Sequence, residues 1–288
     1  MQRILQLAER FERGLESPRQ PVDWRNVIAA RWVPEGGTGW LRPLAVSGEM
    51  HLADLIGVDR QKQSLQANTR QFVRGLPANN ALLWGARGTG KSSLVRALLN
   101  EFADEGLRLI EIDKNDLLHL PALVSEIQAQ PWRFLLFCDD LAFEADDSAY
   151  KTLKTVLDGT VEAAPENLLL YATSNRRHLL PEQRSDNLGA SMVDGELHPG
   201  EAIEEKIALS DRFGLWVSFY PFSQEHYLEV VRHWLAVLAD AHQLEWDWSP
   251  ALQQQALRWA LGRGNRNGRC AYQFARSWVG TQLLEQRN

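Results

Sequence analysis

The stretch Gly85-Ala86-Arg87-Gly88-Thr89-Gly90-Lys91-Ser92 places four residues between two glycines and then Lys-Ser, with Ser93 following. That spacing can wrap a chain of phosphates. Glycines let consecutive backbone N–H groups turn inward, Lys91 supplies a point charge toward the outer phosphates, and Ser92 offers a hydroxyl to Mg²⁺. Lysine is scarce in this chain, six against 25 arginines, so its place in the pattern carries weight. The bland alternative is a glycine-rich strand-to-helix turn. An apolar run before it (ALLW) and a helical pattern after it favour the phosphate loop.

A second candidate lies downstream. Phe134-Leu-Leu-Phe-Cys138 is an apolar run ending in Asp139-Asp140. A carboxylate at such a strand end can hold Mg²⁺, and its neighbour can orient or polarise water. Asp139 is the metal-side candidate and Asp140 the base. The alternative is a solvated acidic turn. The run 168–172 leads through Thr173 and Ser174 to Asn175, which would stand beside the acidic pair if the two strands are neighbours. A turn-forming asparagine explains that residue equally well. Arg212 precedes the last apolar run and could reach a nucleotide held by an adjacent subunit, although a lone arginine is more often a surface residue. Arg266 and Arg269 open the last helical pattern, where an arginine could fold onto phosphates.

These residues need a frame. From about 51 to 220, apolar runs at 81–84, 107–112, 134–138, 168–172 and 215–219 alternate with helical periodicity. Val95, Leu98, Leu99 and Phe102 share one helical face, as do Tyr150, Leu153, Val156 and Leu157. Such alternation predicts an α/β fold with a parallel sheet covered on both sides. Residues 183–200, polar and glycine-containing, read as a long mobile loop. Beyond Pro221 the pattern is all-helical: Ser223 and Ser249-Pro250 are caps, and a third helix covers roughly 271–284. Residues 1–50 hold an amphipathic helix (Ile4, Leu7, Phe11, Leu15) and a segment with Trp24, Trp32 and Trp40, where Gly36, Gly37 and Gly39 suggest a turn between extended pieces. The domains are thus 1–50, 51–220 and 221–288.

Composition narrows the class. With 288 residues, 44% hydrophobic and 24% charged, the chain is long enough for a real core and is neither disordered nor collagen-like. Cys138 and Cys270 cannot build a thiolate metal site or a disulfide framework, and both read as buried, inert thiols. No apolar run is long enough for a membrane helix, and the charged start does not suit a signal peptide. The expectation is a cytoplasmic protein with no membrane partner.

In order, these motifs resemble the AAA+ ATPase superfamily: phosphate loop, acidic strand end, Asn-ended strand, Arg before the last strand, and a helical lid with its own arginine. More narrowly, the chain is similar to the bacterial family called domain of unknown function 815. That likeness rests on Asp54-Leu-Ile-Gly57-Val-Asp59, LLWGARGTGKSSLVRALLNEF, FLLFCDDLAFE, YATSNRRHLLPE, LSDRFGLWVSFYPF and NGRCAYQFAR. The resemblance implies a parallel five-stranded sheet of order 5-1-4-3-2, ATP and Mg²⁺ as cofactors, and slow hydrolysis of ATP to ADP coupled to homo-oligomer assembly or partner remodelling. It places Leu55, Ile56 and Gly57 beside the adenine, and Lys91 and Ser92 on the phosphates and Mg²⁺. Asp139 and Asp140 become the acidic pair, Asn175 the first sensor, Arg212 a finger acting in trans and Arg269 the lid sensor. Many members carry Asp-Glu where this chain has Asp-Asp, as some helicase-loader-like members do. The shorter side chain bears on hydrolysis and not on binding. The alternative is a nucleotide-gated DNA- or protein-binding module with little hydrolysis. A small-molecule kinase fits poorly, because no acceptor-site arginine cluster is evident.

The formal charge of −6 argues against a surface that coats nucleic acid as a whole. It conceals an asymmetry. Residues 255–276 carry Arg258, Arg263, Arg266, Arg269 and Arg276 and no acid, leaving 26 basic against 37 acidic residues elsewhere, a charge of −11. Part of that set suits phosphate sensing. The rest suits a small nucleic-acid or subunit contact.

Overall fold

The computed structural model describes residues 21–46, 50–143, 149, 152–154, 165–176, 179, 191–193, 196–198 and 212–287, with 191–193 and 196–198 as backbone alone. The predicted opening helix lies outside the described residues. So does most of the Tyr150–Leu157 face, of which Leu153 is described and buried.

In chain order come β1 (Ala29–Glu35), β2 (Thr38–Pro43), a 3-10 turn (Leu52–Asp54), α1 (Asp59–Val73), β3 (Ala81–Gly85) and α2 (Lys91–Phe102). Then follow β4 (Leu107–Glu111), a second 3-10 turn (Lys114–His119), α3 (Leu120–Ile127), β5 (Arg133–Cys138) and β6 (Leu168–Ser174). The chain closes with β7 (Ser191–Val193), β8 (Glu196–His198), β9 (Leu215–Phe219), α4 (Gln224–Ala241), α5 (Pro250–Gly262) and α6 (Gly268–Arg287).

One seven-stranded sheet has the order β2-β1-β4-β5-β6-β3-β9. Its five parallel strands β9-β3-β6-β5-β4 reproduce the expected 5-1-4-3-2 order. The sheet is wider than five because β1 runs parallel to β4 and carries β2 as an antiparallel hairpin partner. The hairpin turns through Gly36 and Gly37 at φ +53° and +88°, the left-handed pair that matches the twist of the flanking strands. Trp32 then lies over Gly39, where an added Cβ would stand 2.3 Å from the indole.

Alternating side chains build two apolar layers. Phe134, Leu136 and Cys138 of β5 face one core with Leu82, Ile110, Trp32 and the α3 residues Leu120, Leu123 and Ile127. Leu135 and Phe137 face the other, with Leu83, Leu109 and the α1 and α2 residues Leu65, Phe72, Leu94, Leu98 and Phe102. The last three helices enclose a third core around Tyr227, Val231, Leu235, Ala256, Ala271 and Phe274. Ser223 and Ser249 cap α4 and α5 as expected, accepting from the backbone N–H of His226 and Leu252. The last helix starts at Gly268, three residues before its expected start. Residues 183–200 were expected to be loop throughout, yet β7 and β8 pair within them as an antiparallel ribbon. Both cysteines are buried and free, and burial pushes the Cys138 thiol up to about 12.

Candidate functional site

The phosphate loop joins β3 to α2 in a conformation that its glycines permit. Gly85 has φ +133°, and a Cβ there would stand 1.9 Å from the carbonyl oxygen of Phe219 on β9. The Ala86 amide donates to that same oxygen at 3.1 Å. Gly90 caps α2 in the left-handed region at φ +102°. Inside the loop, Thr89 Oγ1 donates to the Ala86 carbonyl at 2.8 Å. The Lys91 ammonium donates to the carbonyls of Gly85 (2.9 Å) and Ala86 (2.8 Å) and to Asn175 Oδ1 (3.3 Å). Lys91 is 7% exposed. Desolvation by burial lowers its pKa, Asp139 and Asp140 oppose that, and Arg87 adds to the lowering. Arg87 itself is exposed, and Ser93 is half-buried on the first turn of α2.

Because β5 and β6 are neighbours with Cys138 opposite Ala172, Asp139 and Asp140 emerge beside Thr173 and Asn175. Asp139 Oδ1 accepts from Ser92 Oγ at 2.6 Å and from Thr173 Oγ1 at 2.5 Å. Thr173 Oγ1 also accepts from the Asp140 amide at 2.9 Å. Asn175 Nδ2 donates to Asp140 Oδ1. Asp140 has φ +56°, a strained backbone state for a non-glycine residue and one that tends to cluster at functional sites. Two linked chains result, Lys91–Asn175–Asp140 and Ser92–Asp139–Thr173. The structure therefore brings together Lys91, Ser92, Asp139, Asp140 and Asn175, five residues chosen from sequence.

A hydroxyl and a carboxylate converging on one point form a hard-oxygen donor set. Among the described residues no group of three or more His, Cys, Asp or Glu side chains could cage a metal. The hydroxyl–carboxylate set suits Mg²⁺, which takes one or two protein ligands and completes its shell with water and substrate phosphates.

The proposed adenine border is held between core and lid. Leu55 is buried, and a Cβ on Gly90 would meet its Cδ2 at 3.4 Å. His226 of α4 hydrogen-bonds the Ile56 carbonyl at 2.8 Å and stacks on Phe222 at a centroid distance of 3.9 Å. Its ring occupies the space that a side chain on Gly57 (φ +72°) would need, 2.3 Å from an added Cβ. His233 pairs with Asp54 at 3.0 Å.

The lid also touches the loop directly. The Gly268 amide donates to the Gly88 carbonyl at 2.8 Å, and Asn267 Nδ2 donates to the Arg87 carbonyl at 3.3 Å. Asn267 Oδ1 accepts from the Cys270 amide at 2.9 Å, so one side chain caps α6 and holds the loop. Arg269 is exposed one residue past Gly268, and Arg266 is exposed two residues before it. Arg212 stands apart. It precedes β9 at the end where Leu215 bonds Asn80, whereas the phosphate loop meets the other end at Phe219. The strand between them is about 17 Å long. Arg212 thus does not meet the phosphate loop of its own chain.

Sequence reasoning gave no role to Thr173, Asn267, Gly268 or His226. Thr173 was findable, since it lies at the end of β6 two residues before Asn175. Asn267 was findable as the cap three residues before Cys270. The His226 contact spans 170 residues and had no local signal.

This sheet order, loop and lid define an AAA+ P-loop fold. Aeropyrum pernix Orc1, solved in complex with DNA, is similar with a TM-score of 0.55 at 14% identity, covering 85% of this chain and 67% of that one. A point mutant of Thermotoga maritima RuvB is similar with a TM-score of 0.51 at 16% identity over 78% of this chain. The chain spans 63% of the length of that RuvB chain. At these identities the likeness is one of fold. No curated protein matches. The chain belongs to the family described as protein of unknown function (DUF815), whose model matches residues 25–282.

Proposed function

We propose that the chain is a cytoplasmic, Mg²⁺-dependent ATPase whose nucleotide state drives self-assembly or remodels a partner. The carrying observation is the pair of hydrogen-bonded chains that join the phosphate loop to both aspartates and Asn175. ATP would lie with its adenine along Leu55, Ile56 and Gly57 and its phosphates against the amides of Gly85, Ala86, Arg87, Gly88, Thr89, Gly90, Lys91, Ser92 and Ser93. Lys91 would leave the Gly85 and Ala86 carbonyls for the outer phosphates. Bound Mg²⁺, held by Ser92 and Asp139, would neutralise phosphate charge. Asp140, aimed by Asn175, would take a proton from the attacking water. Arg269 would read the nucleotide from the lid, and Arg212 would act in trans in a homo-oligomer, which agrees with its distance from its own loop.

A second reading, a nucleotide-gated DNA- or protein-binding module with little hydrolysis, draws on the short Asp140 side chain, one of whose oxygens already serves Asn175. ATP·Mg²⁺ should raise the melting temperature of the wild type. Lys91→Ala should abolish that shift, and Asp140→Asn should keep it while suppressing phosphate release. A wild type with no nucleotide-dependent shift would sink both readings. Turnover that stays absent with every added partner favours the second.

A further inference from the structure

Between Asp247 and Glu285 the chain carries no acidic residue and no lysine, only Arg258, Arg263, Arg266, Arg269 and Arg276. All five are exposed. Among the described residues none of them makes an ion pair, although the chain as a whole is acidic. Five guanidiniums without an acidic partner add nothing to the stability of the lid, because like charges repel.

The placement is ordered. The end of α5 and its connection to α6 are exposed at every residue from Leu261 to Arg266, and Leu261 is 82% exposed. Gly262 and Gly264 flank Arg263 with open space where a Cβ would stand, so another backbone can approach closely there. The Arg263 guanidinium lies 3.6 Å from the Trp259 ring centroid, and Arg276 lies 5.7 Å from that of Tyr272. Stacking on an aromatic face fixes the plane and leaves the N–H fork for a ligand. On α6, Arg276 lies seven residues past Arg269, nearly two full turns or about 10 Å along the axis, away from the end that holds the phosphate loop.

We propose that Arg263 and Arg266 of the α5–α6 connection and Arg276 of α6 bind the phosphodiester backbone of a nucleic acid, Arg269 being left to the nucleotide. Arginine without lysine suits bidentate phosphate contact. A protein partner would be matched in register by charges of both signs, whereas this stripe offers one sign, as a polymer of one charge requires. The proposal deepens the partner-binding reading by naming the partner's chemistry. The connection runs directly into Asn267 and Gly268, which hold the phosphate loop.

The test is fluorescence anisotropy with labelled 30-nucleotide single-stranded and duplex DNA, without ATP, across 50–200 mM NaCl. Binding in either arm that weakens steeply with salt is expected, and the stronger arm identifies the form recognised. Arg263→Ala/Arg276→Ala should weaken binding about tenfold and flatten the log–log salt slope by about 1.4 for single strands or 1.8 for duplex. Arg263→Lys/Arg276→Lys keeps the charge and should keep the slope, which carries the test if the alanine pair melts early. No binding at 50 mM NaCl, an unchanged alanine variant, or equal competition by polyglutamate overturns the proposal. The ATP-dependent melting shift, measured on the same samples, reports separately whether the nucleotide site is intact.

Discussion

Thr173 carries more of the site than its size suggests. Its hydroxyl donates to the Asp139 carboxylate and accepts from the Asp140 backbone amide, so one side chain orients the first aspartate and anchors the backbone of the second. It is 1% exposed, and both of its site contacts are to the two aspartates. Replacing it with valine should therefore leave ATP affinity within about threefold while lowering kcat by about 10–100-fold, the usual cost of losing a group that orients a metal-side carboxylate. Single-turnover phosphate release beside a nucleotide melting shift would separate the two effects, and an unchanged kcat would refute the role. That Lys91, Ser92, Asp139, Asp140 and Asn175 would be gathered was legible in sequence because each lies at an element boundary, where spacing is informative. Thr173 was passed over because a buried threonine at a strand end reads as packing until its partner strand is known.

Among the elements, the five parallel strands were legible from their apolar runs, since a strand covered on both faces has no polar alternation to confuse it. The β1–β2 hairpin was readable as a turn, but its place in the sheet was not, because pairing with β4 is non-local. Arg108 of β4 shows how that pairing is secured. It is 4% exposed and donates to the carbonyls of Trp24 (2.7 Å), Ala103 (2.8 Å) and Leu107 (2.8 Å), with its guanidinium 3.8 Å from the Trp132 ring. It thus ties the chain before β1 to the end of α2. Arg108→Ala leaves those acceptors without their donor and should cost about 2–4 kcal/mol in urea unfolding. A loss below about 1 kcal/mol would show that the strand ladder and apolar contacts hold the hairpin without Arg108.

At the scale of the molecule, Arg212 sets the question of assembly. It lies at the far end of β9 from its own loop, so any action on a nucleotide requires a second copy. Arg212→Ala alone and Lys91→Ala alone should each lose most turnover. Mixed, they should recover part of it, since one variant retains an intact loop and the other an intact arginine. No recovery in a mixture that sedimentation shows to be assembled would remove the trans role.

The bond from Gly268 to Gly88 has a mechanical meaning as well. It pins one end of a 20-residue helix, about 30 Å long, to the loop that would hold the phosphates. Because α6 is packed into the three-helix core, that core would turn with it, as a lever whose fulcrum is the contact with the loop. A tilt of about 10° at that fulcrum, set by sub-ångström adjustment around Gly88, would sweep the distal end of α6 through about 5 Å. Under the proposed function, gain of that size would turn the presence of one phosphate group into a displacement that a neighbouring molecule could feel.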